Sequence, residues 1–289
     1  MTDKTIGIIG IGRMGHGIAK NIQKHAWQIG FLHHKGNQPT DDLLAAGAIE
    51  YKALPELADA SDIIILCVTG SPEVEKIITG SEGLLKSLKK GTVIIDCSTA
   101  IPASTIKLAK LVKNAGGHFL DAPMTRTPKE AAEGKLNLIV GGDKKLFNDQ
   151  LPLLQTYAEN IVHAGDVGAG HTMKLLHNYV SLGYSTVLAE AAAAAKKSNV
   201  DAQVFHDVLA KGGGAGVVLD RMAPYILNKD AGGLLFTLAN SAKDLGYYSQ
   251  MCSDLSASGG VAEAIGSTLT DQVQQGHGDD FLPQMIDYL

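Results

Sequence analysis

The sequence predicts an α/β fold: a doubly wound parallel sheet, then an all-α C-terminal domain, joined by one long helix. Three observations predict it. Short apolar runs alternate with helical patterns through the first half of the chain. The character changes near Gly165, and the stretch from His171 to Ser198 holds no proline and one glycine. From Asp201 to Leu289 the pattern is helical, with little strand signal.

The strand candidates, in order, are Thr5–Ile9, Gln28–His33, Ile63–Val68, Thr92–Asp96, Gly117–Asp121 and Leu136–Val140. Amphipathic segments such as Gly17–Lys24 and Pro102–Lys113 lie between them. Apolar runs without strict alternation imply strands covered on both faces, as in a parallel sheet. Right-handed crossovers then give the doubly wound order. The stretch His171–Ser198 ends in LAEAAAAAKK, and alanine is the best helix former. At ~1.5 Å per residue that helix spans roughly 42 Å, too long for a crossover and suited to joining domains. The expected domains are 1–164 and 165–289.

Composition narrows the classes of function. A length of 289 residues predicts about two domains. Glycine, at 33 residues, is about 11% against a usual ~7%, so glycine turns are over-used. The net charge is 25 − 30 = −5, which argues against a nucleic-acid binder held by bulk charge. No apolar run is long enough for a transmembrane helix. The start, MTDKTIGIIGIG, lacks the basic region and cleavage site of a signal peptide. Cys67, Cys97 and Cys252 are odd in number and have no metal-ligand spacing. Reduced thiols in the cytoplasm, and no metal, are the expectation.

The cofactor site is read from Gly10-Ile11-Gly12-Arg13-Met14-Gly15, which follows the first strand and opens a helix. Gly10 permits the tight turn, Gly12 lets backbone approach a pyrophosphate, and Gly15 lets helix and strand pack closely. Strand, turn, helix and second strand stand in the order a Rossmann-type dinucleotide site requires. In NAD enzymes an acid after the second strand binds the ribose hydroxyls. Here no acidic residue lies between Asp3 and Asp41, and the strand ends in His33-His34-Lys35-Gly36. A cation fits the 2′-phosphate of NADP, so NADP(H) is the expected cofactor, with NAD(H) also possible. Lys35 is the main expected contact and His34 a second.

Four further segments carry chemistry: Asp96-Cys97-Ser98-Thr99, Asp121–Thr127, Gly168–Asn178 and Lys243-Asp244-Leu245-Gly246. Ligands collect at the C-terminal ends of parallel strands, where the first two fall. Lys174 and Asn178 are i,i+4 on the long helix and share a face. A lysine can give a proton to a developing alkoxide or take one from an alcohol. Asn178 can hold the amine or the substrate hydroxyl. By helix spacing alone, a solvated surface lysine is the ordinary expectation.

In this order, and over essentially the whole chain, these segments resemble the β-hydroxyacid dehydrogenase family, which includes 3-hydroxyisobutyrate dehydrogenase and tartronate semialdehyde reductases. Gly10–Gly15 is similar to its GxGxMG and Asp96–Thr99 to its D-x-S-T. Gly168–Asn178 resembles its G-x-G-x-x-x-K-x-x-x-N, and Lys243–Leu245 its K-D-L. The resemblance implies an NAD(P)-dependent oxidoreductase interconverting a small anionic β-hydroxyacid and its semialdehyde or keto form. It implies Lys174 as general acid/base, Asn178 as its aid in binding substrate, Thr99 at the nicotinamide end and Lys243 beside the cofactor. Arg13 and Met14 join the glycines of the cofactor turn. Val68 and Thr69 stand where the family has Leu-Pro against the cofactor. Family members dimerise through the helical domain, often into tetramers, so a homodimer or homotetramer is expected.

The substrate loop departs from the family. Where most members read D-A-P-V-S-G-G, this chain has Thr125-Arg126-Thr127 after Met124. Thr125 keeps a hydroxyl, and the Arg126 fork suits a bidentate oxyanion. Ser98, Thr125, Arg126 and Thr127 are the expected substrate contacts. The Arg-Thr pair and Asn178-Tyr179 are similar to the sulfolactaldehyde reductase branch, which makes a sulfonate aldehyde a second candidate substrate. That branch is usually NAD-linked, with an acid after the second strand that this chain lacks. The glycine motif would also suit an imine reductase-like enzyme or a non-catalytic NADP-binding scaffold, and Lys174 counts against both. A phosphogluconate-type decarboxylating enzyme would need a larger helical domain. His177 is expected to be structural, Asp244 to cap or pair locally, and Asp121 to fix its loop.

Overall fold

The computed structural model describes residues 4–289. Two compact units divide after Lys174, the second being Leu175–Leu289. In the first unit the elements run β1 (Thr5–Ile9), α1 (Gly15–Lys24), β2 (Gln28–Leu32), α2 (Asp41–Ala45), β3 (Ile49–Tyr51), α3 (Leu54–Ala60), β4 (Ile63–Leu66), α4 (Ser71–Thr79) and β5 (Val93–Asp96). Then follow α5 (Pro102–Asn114), β6 (His118–Asp121), β7 (Met124–Thr125), α6 (Pro128–Glu133), β8 (Leu136–Gly141), α7 (Lys144–Leu154) and β9 (Ala158–Gly165). Helix α8, Ala169–Lys197, begins in this unit and continues into the second.

The sheet order is β3-β2-β1-β4-β5-β6-β8-β7, with β9 on β8. Strands β1 to β6 pair in parallel. Growth reverses between β1 and β4, which is the switch point where a doubly wound sheet opens a crevice at its strand C-termini. Both faces are covered because successive residues point to opposite sides. Ile6, Ile8, Ile63, Ile65 and Ile95 enter one core with Ile18 and Ile22 of α1. Ile9, Ile64, Leu66 and Ile94 enter the other.

The sheet differs from the sequence expectation in two ways. It is mixed rather than wholly parallel, since β8 runs antiparallel to β6 and β7. It also gains β3, β7 and β9. Their signal is weak because β3 has two exposed residues of three, β7 is two residues long, and β9 is half-exposed along its length. The other strands begin or end within two residues of their candidates, the ordinary scatter of element ends.

The second unit contains the rest of α8, then α9 (Ala202–Ala210), α10 (Val217–Asn228), α11 (Leu238–Asp254) and α12 (Gly260–Gln272). It has its own core, including Leu182, Leu188, Met222, Leu245, Leu269 and Met285. Asp201 caps α9 through the amides of Gln203 and Val204, and Thr237 caps α11 through Asn240. Among the described residues of this unit, β pairing is limited to the bridge Thr237–Phe281. No described helix is long and apolar enough to cross a membrane.

The unit division lies ten residues beyond the expected one. The reason is a carboxylate: Asp121, at the end of β6, accepts the amides of Gly168 and His171, both at 2.8 Å. That cap satisfies orphan donors at the start of α8 and opposes its dipole with a negative charge. The helix's first turn is thereby fastened to the sheet.

Candidate active site

The glycine turn separates three steric roles. Gly10 has φ +99°, and a Cβ there would strike the Cys67 carbonyl. A Cβ on Gly15 would strike the Gly10 carbonyl. At Gly12 a Cβ would meet nothing within 4 Å. The fold itself therefore demands glycine at 10 and 15, whereas the space over Gly12 is open to a ligand. Helix α1 starts there with no side-chain cap and no acid in its first turn, which leaves its amides to an anion. The residues present fit a dinucleotide's phosphates.

Asn37 was not visible as a site residue. Its Oδ1 accepts the Ile11 amide (3.3 Å), its Nδ2 donates to the Leu32 carbonyl (3.1 Å), and the next amide, Gln38, donates to Ile11 (2.7 Å). It staples the glycine turn to the end of β2. The only sequence signal is the polar turn after that strand.

The basic end of β2 is divided in function. His33 pairs with Glu50 of β3 at 2.9 Å, so an acid does reach this corner, from 17 residues away. The His34 ring accepts the Gly36 amide at 3.0 Å within its own turn. Lys35 and Arg13 are exposed.

At the next strand ends, Asp96 and Asp121 are register partners, and both are buried. Burial pushes the Asp96 carboxyl above the usual carboxylate range, opposed by the neighbouring His171 and by bonds from Ser98. Asp96 Oδ1 accepts the Ser98 amide (2.9 Å), and Ser98 Oγ accepts the Val68 amide (3.1 Å). The hydroxyl thus links the loops after β4 and β5, and the Ser98 side chain also bonds the Asp96 carboxyl. Thr99 follows, half-buried, and Thr69 is exposed. Desolvation pushes the Cys67 thiol up to about 12, which disfavours its thiolate.

The Gly168-x-Gly170 lead-in of α8 now has a cause. A Cβ on Gly170 would come within 2.8 Å of the Asp121 carboxylate, and one on Gly141 within 2.6 Å. The close approach lets Asp121 cap the helix. One turn later Lys174 is 9% exposed, so it is not a solvated surface lysine.

Two of the expected substrate-loop residues have local partners. Arg126 has φ +82°. Its Nη1 donates to Glu159 Oε2 at 2.6 Å and also to the Lys135 carbonyl. Through Nη1 the guanidinium braces the loop against the strand region that follows. Thr127 is the N-cap of α6 in a capping box with Glu130, so its hydroxyl serves the helix. Thr125 is different. Its Oγ1 accepts from Asn137 (3.1 Å), which is itself held by Asn160 (2.9 Å), and its proton stays available.

In the second unit Asn178 is buried, and its Nδ2 donates to Asp244 Oδ2 at 2.6 Å. His177 Nδ1 lies 3.0 Å from Asn178 Oδ1. Lys243 Nζ lies 3.0 Å from Asp244 Oδ1. Asp244, expected only to pair locally, therefore joins two of the expected site residues. Among the described residues no group of His, Cys, Asp or Glu could hold a metal ion.

Residues 5–165 match the model of the NAD-binding domain of 6-phosphogluconate dehydrogenase. Residues 168–289 match that of the NAD-binding domain of NADP-dependent 3-hydroxyisobutyrate dehydrogenase. The chain belongs to the β-hydroxyacid dehydrogenase family. Among its relatives, 2-(hydroxymethyl)glutarate dehydrogenase of Eubacterium barkeri is 32% identical over 83% of this chain and 80% of its own. The 2-hydroxy-3-oxopropionate reductase of Escherichia coli is 34% identical over 68% of this chain and 66% of its own. The Mycobacterium tuberculosis 3-hydroxyisobutyrate dehydrogenase structure with L-serine shares the fold, with TM-score 0.88 over 99% of both chains at 24% identity. These relatives are oxidoreductases acting on CH–OH donors, and this chain matches NAD-binding models over both its parts.

Proposed function

We propose that this protein interconverts a small anionic β-hydroxyacid and its semialdehyde with NADP(H), Lys174 serving as general acid/base. The observation that carries the reading is the burial of Lys174 one turn after α8 is capped at the strand ends, in the unit that bears the open glycine turn. An ammonium group is costly to bury unless it is paired or hydrogen-bonded, so its place at the strand ends is a built one.

The turn Gly10–Gly15, with Met14 and the first amides of α1, would hold the pyrophosphate. Arg13 and Lys35 supply exposed cations for a 2′-phosphate, with His34 beside them. The loops at Val68-Thr69 and Thr99 would face the nicotinamide end. When bound, the nicotinamide gives or takes a hydride at the substrate's oxidisable carbon. Lys174 moves the proton at the substrate oxygen, and Asn178, one turn on, steadies the amine or that oxygen. Asp244 fixes the Asn178 amide, and Lys243 shares that carboxylate. Thr125 offers a hydroxyl proton to the acid group, with Ser98 at the neighbouring strand end as the second expected contact. Arg126 braces the loop after Thr125, which weakens the case for a sulfonate substrate, since its fork was one of the features that favoured one, with Asn178-Tyr179.

Exposed Leu176, Val180 and Val187 on α8 support homo-oligomerisation through the helical unit. Free cysteines suit a reducing cytoplasm.

The test is initial-rate oxidation of NADPH and NADH against glyoxylate, a monocarboxylate semialdehyde, succinic semialdehyde and sulfolactaldehyde. The expected outcome is turnover of a carboxylate aldehyde with NADPH preferred. Lys35→Asp should lower the NADPH/NADH ratio of kcat/KM about tenfold, the effect of about 1.4 kcal/mol. An unmoved ratio removes Lys35 from the phosphate site, and no turnover of any aldehyde removes the reading.

A further inference from the structure

We infer that His171 is a positioning residue for this chemistry, holding the Ser98–Thr99 loop in register with Lys174. The inference rests on the proposed role of Lys174 as acid/base. His171 is fully buried, and it joins three elements at once. Its Nε2 lies 3.1 Å from the Ser98 carbonyl at the end of β5. Its Nδ1 lies 2.8 Å from Thr105 Oγ1 in α5. Its backbone amide donates to Asp121 Oδ2 at the end of β6.

The Ser98 carbonyl fixes one proton of the ring. A carbonyl oxygen only accepts, so Nε2 carries the proton. Nδ1 can then accept from the Thr105 hydroxyl, whose other acceptor, the Ile101 carbonyl, is farther at 3.2 Å. Carboxylates flank the ring on both sides: Asp96 Oδ2 is 4.0 Å from Nε2 and Asp121 Oδ2 is 3.9 Å from Nδ1.

Packing alone does not ask for this residue. A leucine would fill much of the space without a polar ring to satisfy, and a buried polar group is tolerated when its bonds are made. What the imidazole adds is direction. Its bond to Ser98 sits one residue before Thr99. Lys174 lies at i+3 from His171, on the neighbouring part of the same helix face. The ring therefore sets the spacing between the loop expected at the nicotinamide and the amine expected at the substrate oxygen. A misplacement of ~1 Å in such a pair costs on the order of 100-fold in rate.

The test uses full-length His171→Leu, His171→Gln, Thr105→Val and Lys174→Ala, and the double variant His171→Leu/Lys174→Ala. NADPH affinity, melting temperature and the single-turnover hydride-transfer rate are measured for each. His171→Leu is expected to lose about 10- to 100-fold in hydride transfer, with NADPH affinity held within about threefold. Glutamine can again donate to Ser98, so His171→Gln should recover most of the rate. Thr105→Val should lose less than His171→Leu, in the same rate and not in affinity. In the Lys174→Ala background, His171→Leu should add little, because groups acting as a unit are non-additive. A purely structural histidine gives the opposite pattern: lower melting temperature, wild-type rate in the folded fraction, and an additive double variant. If His171→Leu does not fold, Thr105→Val decides: a wild-type rate overturns the inference, and a loss of rate at unchanged affinity supports it. Wild-type rate in Lys174→Ala would instead sink the acid/base reading, which separates the two failures.

Discussion

The cofactor turn and the substrate loop both sit at the C-terminal edge of the sheet, yet they answer to different constraints. In the turn, Gly10 and Gly15 are set by carbonyl oxygens of their own fold, and Gly12 by empty space. In the loop, Arg126 is set by Glu159, 33 residues on, and Thr127 by Glu130 of the helix it caps. A backbone requirement restricts a position to one residue type. A side chain's polar groups can serve either a ligand or a neighbour, and the residue type is the same in both cases.

That contrast is sharpest between Gly15→Ala and Gly12→Ala. At Gly15 the new methyl meets backbone that cannot rotate away, so stability should fall by about 1–3 kcal/mol and NADPH binding with it. At Gly12 the melting temperature without ligand should barely move, within the ~0.5 kcal/mol usual for open positions. NADPH binding should nevertheless weaken about tenfold or more, since the methyl would occupy the ligand's space. Melting curves with and without NADPH, plus a titration, read both. A Gly12→Ala variant that binds NADPH normally would break the steric account of the turn.

Arg126→Gly should have the smaller effect. It removes a pair whose side chains are 28% and 53% exposed, worth about 0–1 kcal/mol at such exposure. It also relieves the positive φ, a gain of similar size. Rates on carboxylate and sulfonate aldehydes should shift by a common factor, with their ratio changing less than about threefold. A selective loss of the sulfonate substrate would return Arg126 to the substrate and reverse the comparison.

The same division explains what the sequence disclosed. The doubly wound core was legible because Ile6, Ile8, Ile63–Leu66 and Ile94–Ile95 form runs that only a two-faced sheet can bury. The antiparallel β8 was not, because an apolar run carries no direction. Lys174 was legible through its motif, whereas its burial was not, since burial depends on what packs over the helix. Glu50 and Asn37 escaped because each acts through the register of β3 or the turn after β2. Asp121 was visible as a loop residue, but its cap on α8 spans 47 and 50 residues of sequence.

The central claim is that the buried Lys174 moves the substrate proton, and single-turnover NADPH oxidation by Lys174→Ala across pH tests it most directly. The account predicts a fall of about 10²- to 10⁴-fold in hydride transfer. NADPH affinity should stay within about threefold, and one limb of the wild-type pH–rate profile should disappear. A variant that keeps both the wild-type rate and the wild-type profile would contradict it.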